Sequence, residues 1–231
     1  MSLFAPLNIV CRECETLITM DAVGSVNADR RPDFREDILH DSFQDVSCGN
    51  CGHALRLQPN FNYLDAGRGQ WIAGLPANQV SQYIEVEDGV SLLFDQCYGS
   101  KAPKAARDVG DGLDVRLTFG WPAIREKILA REHGLDDVVL EMLKLDLLRR
   151  MPEAPLAEGM ELRMTSVTED RLSFAWMETA SEAIEQEMSA DRVLYDDIAA
   201  NRDEWSKISA RLTDGPFVDI QKIYLGEPRA A

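Results

Sequence analysis

The 231-residue chain carries 24 basic against 40 acidic residues, a formal net charge of −16 at pH 7, with 45% hydrophobic and 28% charged residues. Four Trp, eight Phe and five Tyr support a packed interior, and at this length one domain or two small ones can bury a core without help from a metal. Basic and acidic residues number 6 and 10 in residues 1–75, 10 and 13 in 76–150, and 8 and 17 in 151–231, so no third supplies the clustered cations that grip nucleic-acid phosphates or an anionic membrane.

The opening Met-Ser-Leu-Phe-Ala-Pro-Leu-Asn-Ile-Val lacks a basic leader, and no apolar run reaches the length of a bilayer span, so the chain reads as cytoplasmic. Residues 8–11 form a short strand into a first cysteine clasp, Cys11-Arg-Glu-Cys14, and 16–21 return from it. Residues 23–29 have loop composition. Pro32 near the first turn opens a helix from Asp33 to about Phe43. Val46 leads into a second clasp, Cys48-Gly-Asn-Cys51, and 54–58 leave it. A hairpin follows, 62–64 and 70–73 around the turn Asp65-Ala-Gly-Arg-Gly69.

Beyond Pro76, Val80, Tyr83, Ile84, Glu87, Val90, Phe94 and Cys97 recur mostly three or four apart, which favours a helix over a hairpin tipped at 87–89. Residues 99–112, with Pro103 and three glycines, read as a linker. Leu113, Val115, Leu117 and Phe119 alternate as a strand. Gly120-Trp-Pro starts a helix ended by Gly134, and Asp136 caps the next, 137–150, whose apolar arc leaves only a polar strip through Glu141 and Lys144. Residues 160–166 and 171–177 form a hairpin, and 184–188 add a third strand. Ser189 caps a long helix through Leu212, Gly215-Pro216 stops it, and 217–225 read as a last strand before a polar tail. The expected fold is α+β. A zinc-ribbon-like β domain with one inserted helix spans 1–76, and a C-terminal domain of helices and antiparallel strands spans 77–231.

Two Cys-x-x-Cys clasps 33 residues apart offer four thiolates, the set that tetrahedral zinc takes at about 2.3 Å. The helix between them accounts for a gap longer than the simplest pattern. Cys11, Cys14, Cys48 and Cys51 are therefore the expected zinc ligands. Four thiolates leave no open position for water, so the ion is structural. Neither clasp opens a helix after a strand, as a thioredoxin-like redox pair would. His53 competes poorly with Cys51 as a ligand, His40 and His133 have no catalytic partner arranged around them, and Cys97 reads as buried filler. No phosphate loop, nucleophile elbow or His-Glu-x-x-His helix is present.

These residues resemble the CpXC family of bacterial proteins, whose first clasp typically reads Cys-Pro-x-Cys. The resemblance rests on the four clasp cysteines, on Asn27-Ala-Asp29 with Arg31-Pro-Asp33, and on Asp65-Ala-Gly-Arg-Gly-Gln-Trp71. Gly120-Trp-Pro-Ala-Ile-Arg-Glu-Lys127 with Gly134-Leu-Asp-Asp137 extends it over the first 150 residues. It implies a zinc-ribbon-type module and brings no activity with it. Arg12 stands where the family has Pro. Glu15 stands where such knuckles often use Gly, and lacks glycine's access to positive φ.

The expected function is a protein-interaction or assembly module, with an unknown protein partner or self-association through the apolar helix 137–150. Two alternatives remain from the residues alone. One is a nucleic-acid-associated zinc-ribbon protein, which the charge opposes. The other is an enzyme whose scattered acidic site a single sequence does not group.

Overall fold

The computed structural model describes residues 2–151, 154, 155, 157 and 159–225; the expected polar tail lies outside them. The architecture is α+β, with two main sheets and helices between and around them. The first sheet has five strands in the order β1 (Leu3–Val10), β2 (Leu17–Asn27), β5 (Phe61–Asp65), β6 (Gln70–Leu75), β7 (Asp114–Phe119). The β1–β2 and β5–β6 pairs are antiparallel, whereas β2–β5 and β6–β7 are parallel. β3 (Asp45–Ser47) and β4 (Ala54–Arg56) form a separate small hairpin.

Both faces of this sheet are covered. Val26, Phe61, Tyr63 and Ile72 pack on one side with Ile38 of α1 (Pro32–Leu39) and with Trp121, Ile124 and Ile128 of α4 (Trp121–Glu132). Trp71, Ala73, Leu117 and Phe119 face the other side, against Tyr83 and Val90 of α2 (Tyr83–Tyr98). Gln70-Trp-Ile-Ala-Gly74 is therefore buried without alternation, as a strand between two helical layers must be. The boundary expected at residue 76 falls inside this sheet, because β7 and α4 complete its pairing and its core.

The second sheet is antiparallel, ordered β10 (Ile184–Asp191), β9 (Arg171–Glu178), β8 (Met160–Val167). Its apolar face, with Leu162, Met164, Phe174 and Trp176, packs on α5 (Asp137–Arg150), α6 (Arg192–Ala200) and α7 (Ser206–Leu212). Val138, Val139, Leu140, Met142, Leu143, Leu145 and Leu147 of α5 are all buried within the chain, and Leu148 is partly buried against the same core.

Several local expectations give way to non-local pairing. Residues 23–27 continue β2 instead of looping, because Ser25, Val26 and Asn27 find parallel partners in Asn62, Tyr63 and Leu64. The supposed linker 99–112 contains α3 (Lys104–Gly110), tied back where the Arg107 guanidinium donates to the Ala102 carbonyl at 2.9 Å. Helix α1 stops at Leu39, and Phe43 instead enters the core beyond it. The long helix expected from Ser189 breaks. Ser189 pairs with Ser173 in β10, and α6 and α7 are separated by a 3-10 turn, Arg202–Trp205. Residues 217–225 form no strand: Phe217, Val218 and Ile220 are buried one by one, then α8 (Gln221–Leu225) follows. The helix favoured for 80–97 is present as α2, preceded by a 3-10 turn at Ala77–Gln82.

Candidate metal centre

Each clasp sits at the tip of a hairpin and is closed by the same two backbone bonds. In the first, Cys11 N–H donates to Thr16 O at 2.9 Å and Glu15 N–H to Cys11 O at 2.9 Å. In the second, Cys48 N–H donates to His53 O at 2.8 Å and Gly52 N–H to Cys48 O at 2.8 Å. The turns are copies of one another at equal offsets. Both demand positive φ at the residue after the second cysteine, met by Gly52 at +75° and by Glu15 at +59°. A non-glycine residue in that region costs about 1–2 kcal/mol.

The two tips bring four sulfurs together. Cys11 Sγ lies 3.6 Å from Cys51 Sγ, Cys14 Sγ lies 3.6 Å from Cys48 Sγ, and all four fall within 4.8 Å of one another. A regular tetrahedron around an ion at 2.3 Å has sulfurs about 3.8 Å apart, so the cradle has the size that a tetrahedral ion requires. Both short pairs cross between hairpins, so one shared ion would fasten β1–β2 to β3–β4. Cys11 and Cys48 are buried among Ile9, Ile18, Val46 and Leu55, while Cys51 is exposed.

Four thiols at one point cannot all ionise without a cation. The Thr16 hydroxyl, 3.3 Å from Cys14 Sγ, and the Asn50 side chain hold the Cys14 thiol down to about 5. The His53 backbone lowers Cys51, but hydrogen bonds from Cys14, burial, and contact with Cys11 and Cys48 push it up to about 12. One thiolate is thus prepared while the Cys51 thiol holds its proton, so metal uptake at Cys51 releases a proton. The four cysteines could bind a metal ion, and with four protein ligands the coordination sphere would be closed.

The remaining sequence candidates lie elsewhere. His53 contributes its carbonyl to the second knuckle and is outside the sulfur cluster. His40 and His133 sit at the C-terminal ends of α1 and α4. Cys97 is exposed on α2 rather than buried, because this helix turns Tyr83 and Val90 inward. Asp136 caps α5 as expected, accepting from Val138 and Val139 N–H.

A second polar constellation was not legible in the sequence. Glu141 and Lys144, the supposed solvent strip of α5, are fully buried. Lys144 Nζ donates to Glu126 at 2.6 Å and to both Glu141 oxygens at 3.1 Å. Lys127 Nζ reaches Asp137 at 3.1 Å, Glu141 at 3.2 Å and the Val218 carbonyl at 2.6 Å, and Arg116 pairs with Asp137. Arg163 joins Glu126, Glu161 and Asp219. Burial raises Glu141 and Glu161, partly opposed by Lys144 and Lys127 for the first and by Arg163 for the second. Burial also works to raise Asp219, yet Arg163 and the two lysines hold it below the usual carboxylate range. The one local clue was a salt-bridge-competent pair, three residues apart, on a helix whose other positions from 138 to 145 are apolar.

A family profile described as CpXC protein matches residues 9–144, more than half the chain. The chain belongs to the CpXC family. No curated protein and no solved structure matches it. The matched span runs from the end of β1 nearly to the end of α5 and includes both knuckles. Within this CpXC chain the quoted motifs meet in space. The Asp29 carboxylate accepts from Ala66 N–H at 2.9 Å and Gly67 N–H at 3.0 Å. A Cβ on Gly67 would lie 2.8 Å from Asp29 Oδ1, so a larger residue there must displace that carboxylate from its two N–H donors. Trp121 Nε1 donates to the Leu57 carbonyl at 2.7 Å, while Lys127 and Asp137 belong to the buried charge network. These motifs pin the first sheet to α4 and α5.

Proposed function

We propose that Cys11, Cys14, Cys48 and Cys51 hold one structural zinc ion, a zinc-ribbon-like fastener in a cytoplasmic protein-interaction or assembly module. The observation that carries this reading is the mutual approach of four sulfurs at the tips of two hairpins with identical knuckle bonds. Thiolate softness and tetrahedral spacing favour zinc over magnesium or calcium, which take oxygen ligands. No helix among the described residues is long and apolar enough to cross a membrane.

The interaction role is supported by the surface beside the knuckles. A groove of about 1090 Å³ runs between Val10, Arg12, His53 and Arg56 on one side and Asn78 and Ser181 on the other. No carboxylate lines it, although the chain as a whole carries −16. Charge complementarity therefore favours an acidic, extended segment of a protein partner, engaged by Arg12, which has no ion-pair partner among the described residues, while Arg56 is already paired with Asp41, Asp45 and Glu182.

Native mass spectrometry of the metal-intact chain tests the zinc claim. One zinc per chain that vanishes in both Cys11→Ser and Cys48→Ser supports it; two half-occupied sites, or a zinc retained in either variant, sinks it. For the interaction role, a photo-crosslinker at Gln79 should give adducts on acidic segments from zinc-loaded chain, abolished by Arg12→Glu. Adducts of equal yield in that variant would remove the groove from the account.

A further inference from the structure

Away from the knuckles, a cavity of about 560 Å³ opens between the 3-10 turn at 77–82, the start of β8 and the segment 219–225. Its walls include Val80, Leu162, Trp176 and Ile220, and its acidic floor is Glu161 with Asp219. This volume lies within the range of small-molecule sites, and an apolar lining with few convergent polar groups is their usual character.

The floor is electrostatically incomplete. The contacts of the buried network join four cations, Arg116, Lys127, Lys144 and Arg163, to five carboxylates, Glu126, Asp137, Glu141, Glu161 and Asp219. With all of them ionised one negative charge would be in excess, and burial, which raises Glu141 and Glu161, works against holding that charge until a cation joins the network. The excess has an outlet at Glu161. Arg163 Nε and Nη2 donate to its Oε2 at 2.9 and 2.6 Å, and Gln221 Nε2 to the same oxygen at 3.3 Å. Oε1 receives no donor among the described residues. Nor is Oε1 sealed away without a partner, as Trp176 Nε1 is. Glu161 is 97% buried by its 3% exposure, so a carboxylate oxygen without a donor lies in the lining of a cavity that is apolar at Val80, Leu162, Trp176 and Ile220 and polar at Asn78, Ser81 and Thr179.

We infer that this cavity is a binding site for a small organic cation: an alkyl- or arylalkylammonium whose charged head completes Glu161 and whose apolar body fills the space against Trp176 and Leu162. A bare metal ion is disfavoured, since both Asp219 oxygens and Glu161 Oε2 are already taken by Arg163 and the Gln221 N–H, which leaves too few free carboxylate oxygens for the six or more ligands that hard cations take. An anion would add to the excess charge, and a neutral apolar molecule would leave it uncompensated. The site is independent of the four cysteines.

Phenethylammonium and its neutral counterpart phenethyl alcohol serve as probes, titrated by calorimetry into the full zinc-loaded chain. The expected result is saturable 1:1 uptake of the ammonium, at least about tenfold tighter than the alcohol. Glu161→Gln should abolish that preference. Ser81→Phe, which narrows the mouth from an exposed lining position without touching the network, should weaken both ligands. Thermal melts establish that each variant is folded, and Ser81→Phe decides the matter if Glu161→Gln is not. No saturable ammonium uptake, equal binding of the two probes, an unchanged preference in folded Glu161→Gln, or binding indifferent to Ser81→Phe would overturn the inference.

Discussion

Replacing Lys144 by Met tests whether the buried charge network holds the two halves of the protein together. Lys144 is fully buried and its ammonium touches three carboxylate oxygens, one on Glu126 at 2.6 Å and two on Glu141 at 3.1 Å. Methionine keeps the apolar stem and removes the charge, so the network goes from one uncompensated carboxylate to two. Breaking one partner of a buried ion pair costs about 3–5 kcal/mol, which in a protein of this size lowers Tm by roughly 6–20 °C. The loss should shrink at low pH. Burial already raises Glu141, and loss of Lys144, which opposes that rise, raises it further. A carboxyl raised in the fold contributes stability fully below its unfolded value, and that contribution is lost as pH rises through the folded value. Urea denaturation at pH 8 should therefore show the larger deficit and pH 5 the smaller. The Glu141→Gln/Lys144→Met pair should lose less than the sum of its singles. A deficit below about 1 kcal/mol, or one that grows as pH falls, would refute the reasoning.

Other expectations follow from single contacts. Glu15→Gly relieves the left-handed backbone of the first knuckle; set against glycine's entropy in the unfolded chain, the net gain is about 0.5–1 kcal/mol, read as a higher Tm of zinc-loaded protein with unchanged metal content. Asp29→Ala removes charge-assisted bonds to Ala66 and Gly67 N–H, worth about 1.5–3 kcal/mol, and hydrogen exchange should rise first in 61–75. Asp137 responds to acid. Burial works to raise it, but Lys127 and Arg116 hold it far below the carboxylate range. Its contribution is present above the unfolded value near about 3.9 and is lost as pH falls. Asp137→Asn should therefore destabilise at pH 7 and flatten the acid limb of the stability curve below about pH 4; an unchanged acid limb would count against the pairing.

What could be read from the sequence was what depends on neighbours in sequence. A Cys-x-x-Cys clasp fixes both sulfurs within one turn, so the four clustered cysteines and their hairpins were visible, as were the Asp136 cap and the Asp65–Gly69 turn. The strain at Glu15 was visible too, since only one position in that turn needs positive φ. What was hidden depends on distant partners. Glu141 and Lys144 on an apolar helix look like a solvated strip until Glu126, Arg163 and Asp219, up to 78 residues away in sequence, enclose them. Residues 23–27 look like loop until β5 supplies a parallel edge. Residues 217–220 look like a strand because they are apolar, yet each is buried separately, with Phe217 against Tyr83 and Phe119. The boundary at 76 was drawn where the local hairpin of 62–73 ends, and β7 pairs across it.

Hydrogen exchange of the zinc-loaded chain against the chelator-stripped chain, mapped by peptide, tests most directly whether the four cysteines are a fastener. Loss of metal should raise exchange in residues 8–18 and 45–57, the two hairpin tips that one ion would join. Residues 121–147 and 160–191 should stay protected, because their cores contain none of the four sulfurs. Unchanged exchange at both tips, or deprotection spread evenly through the second sheet, would contradict that claim.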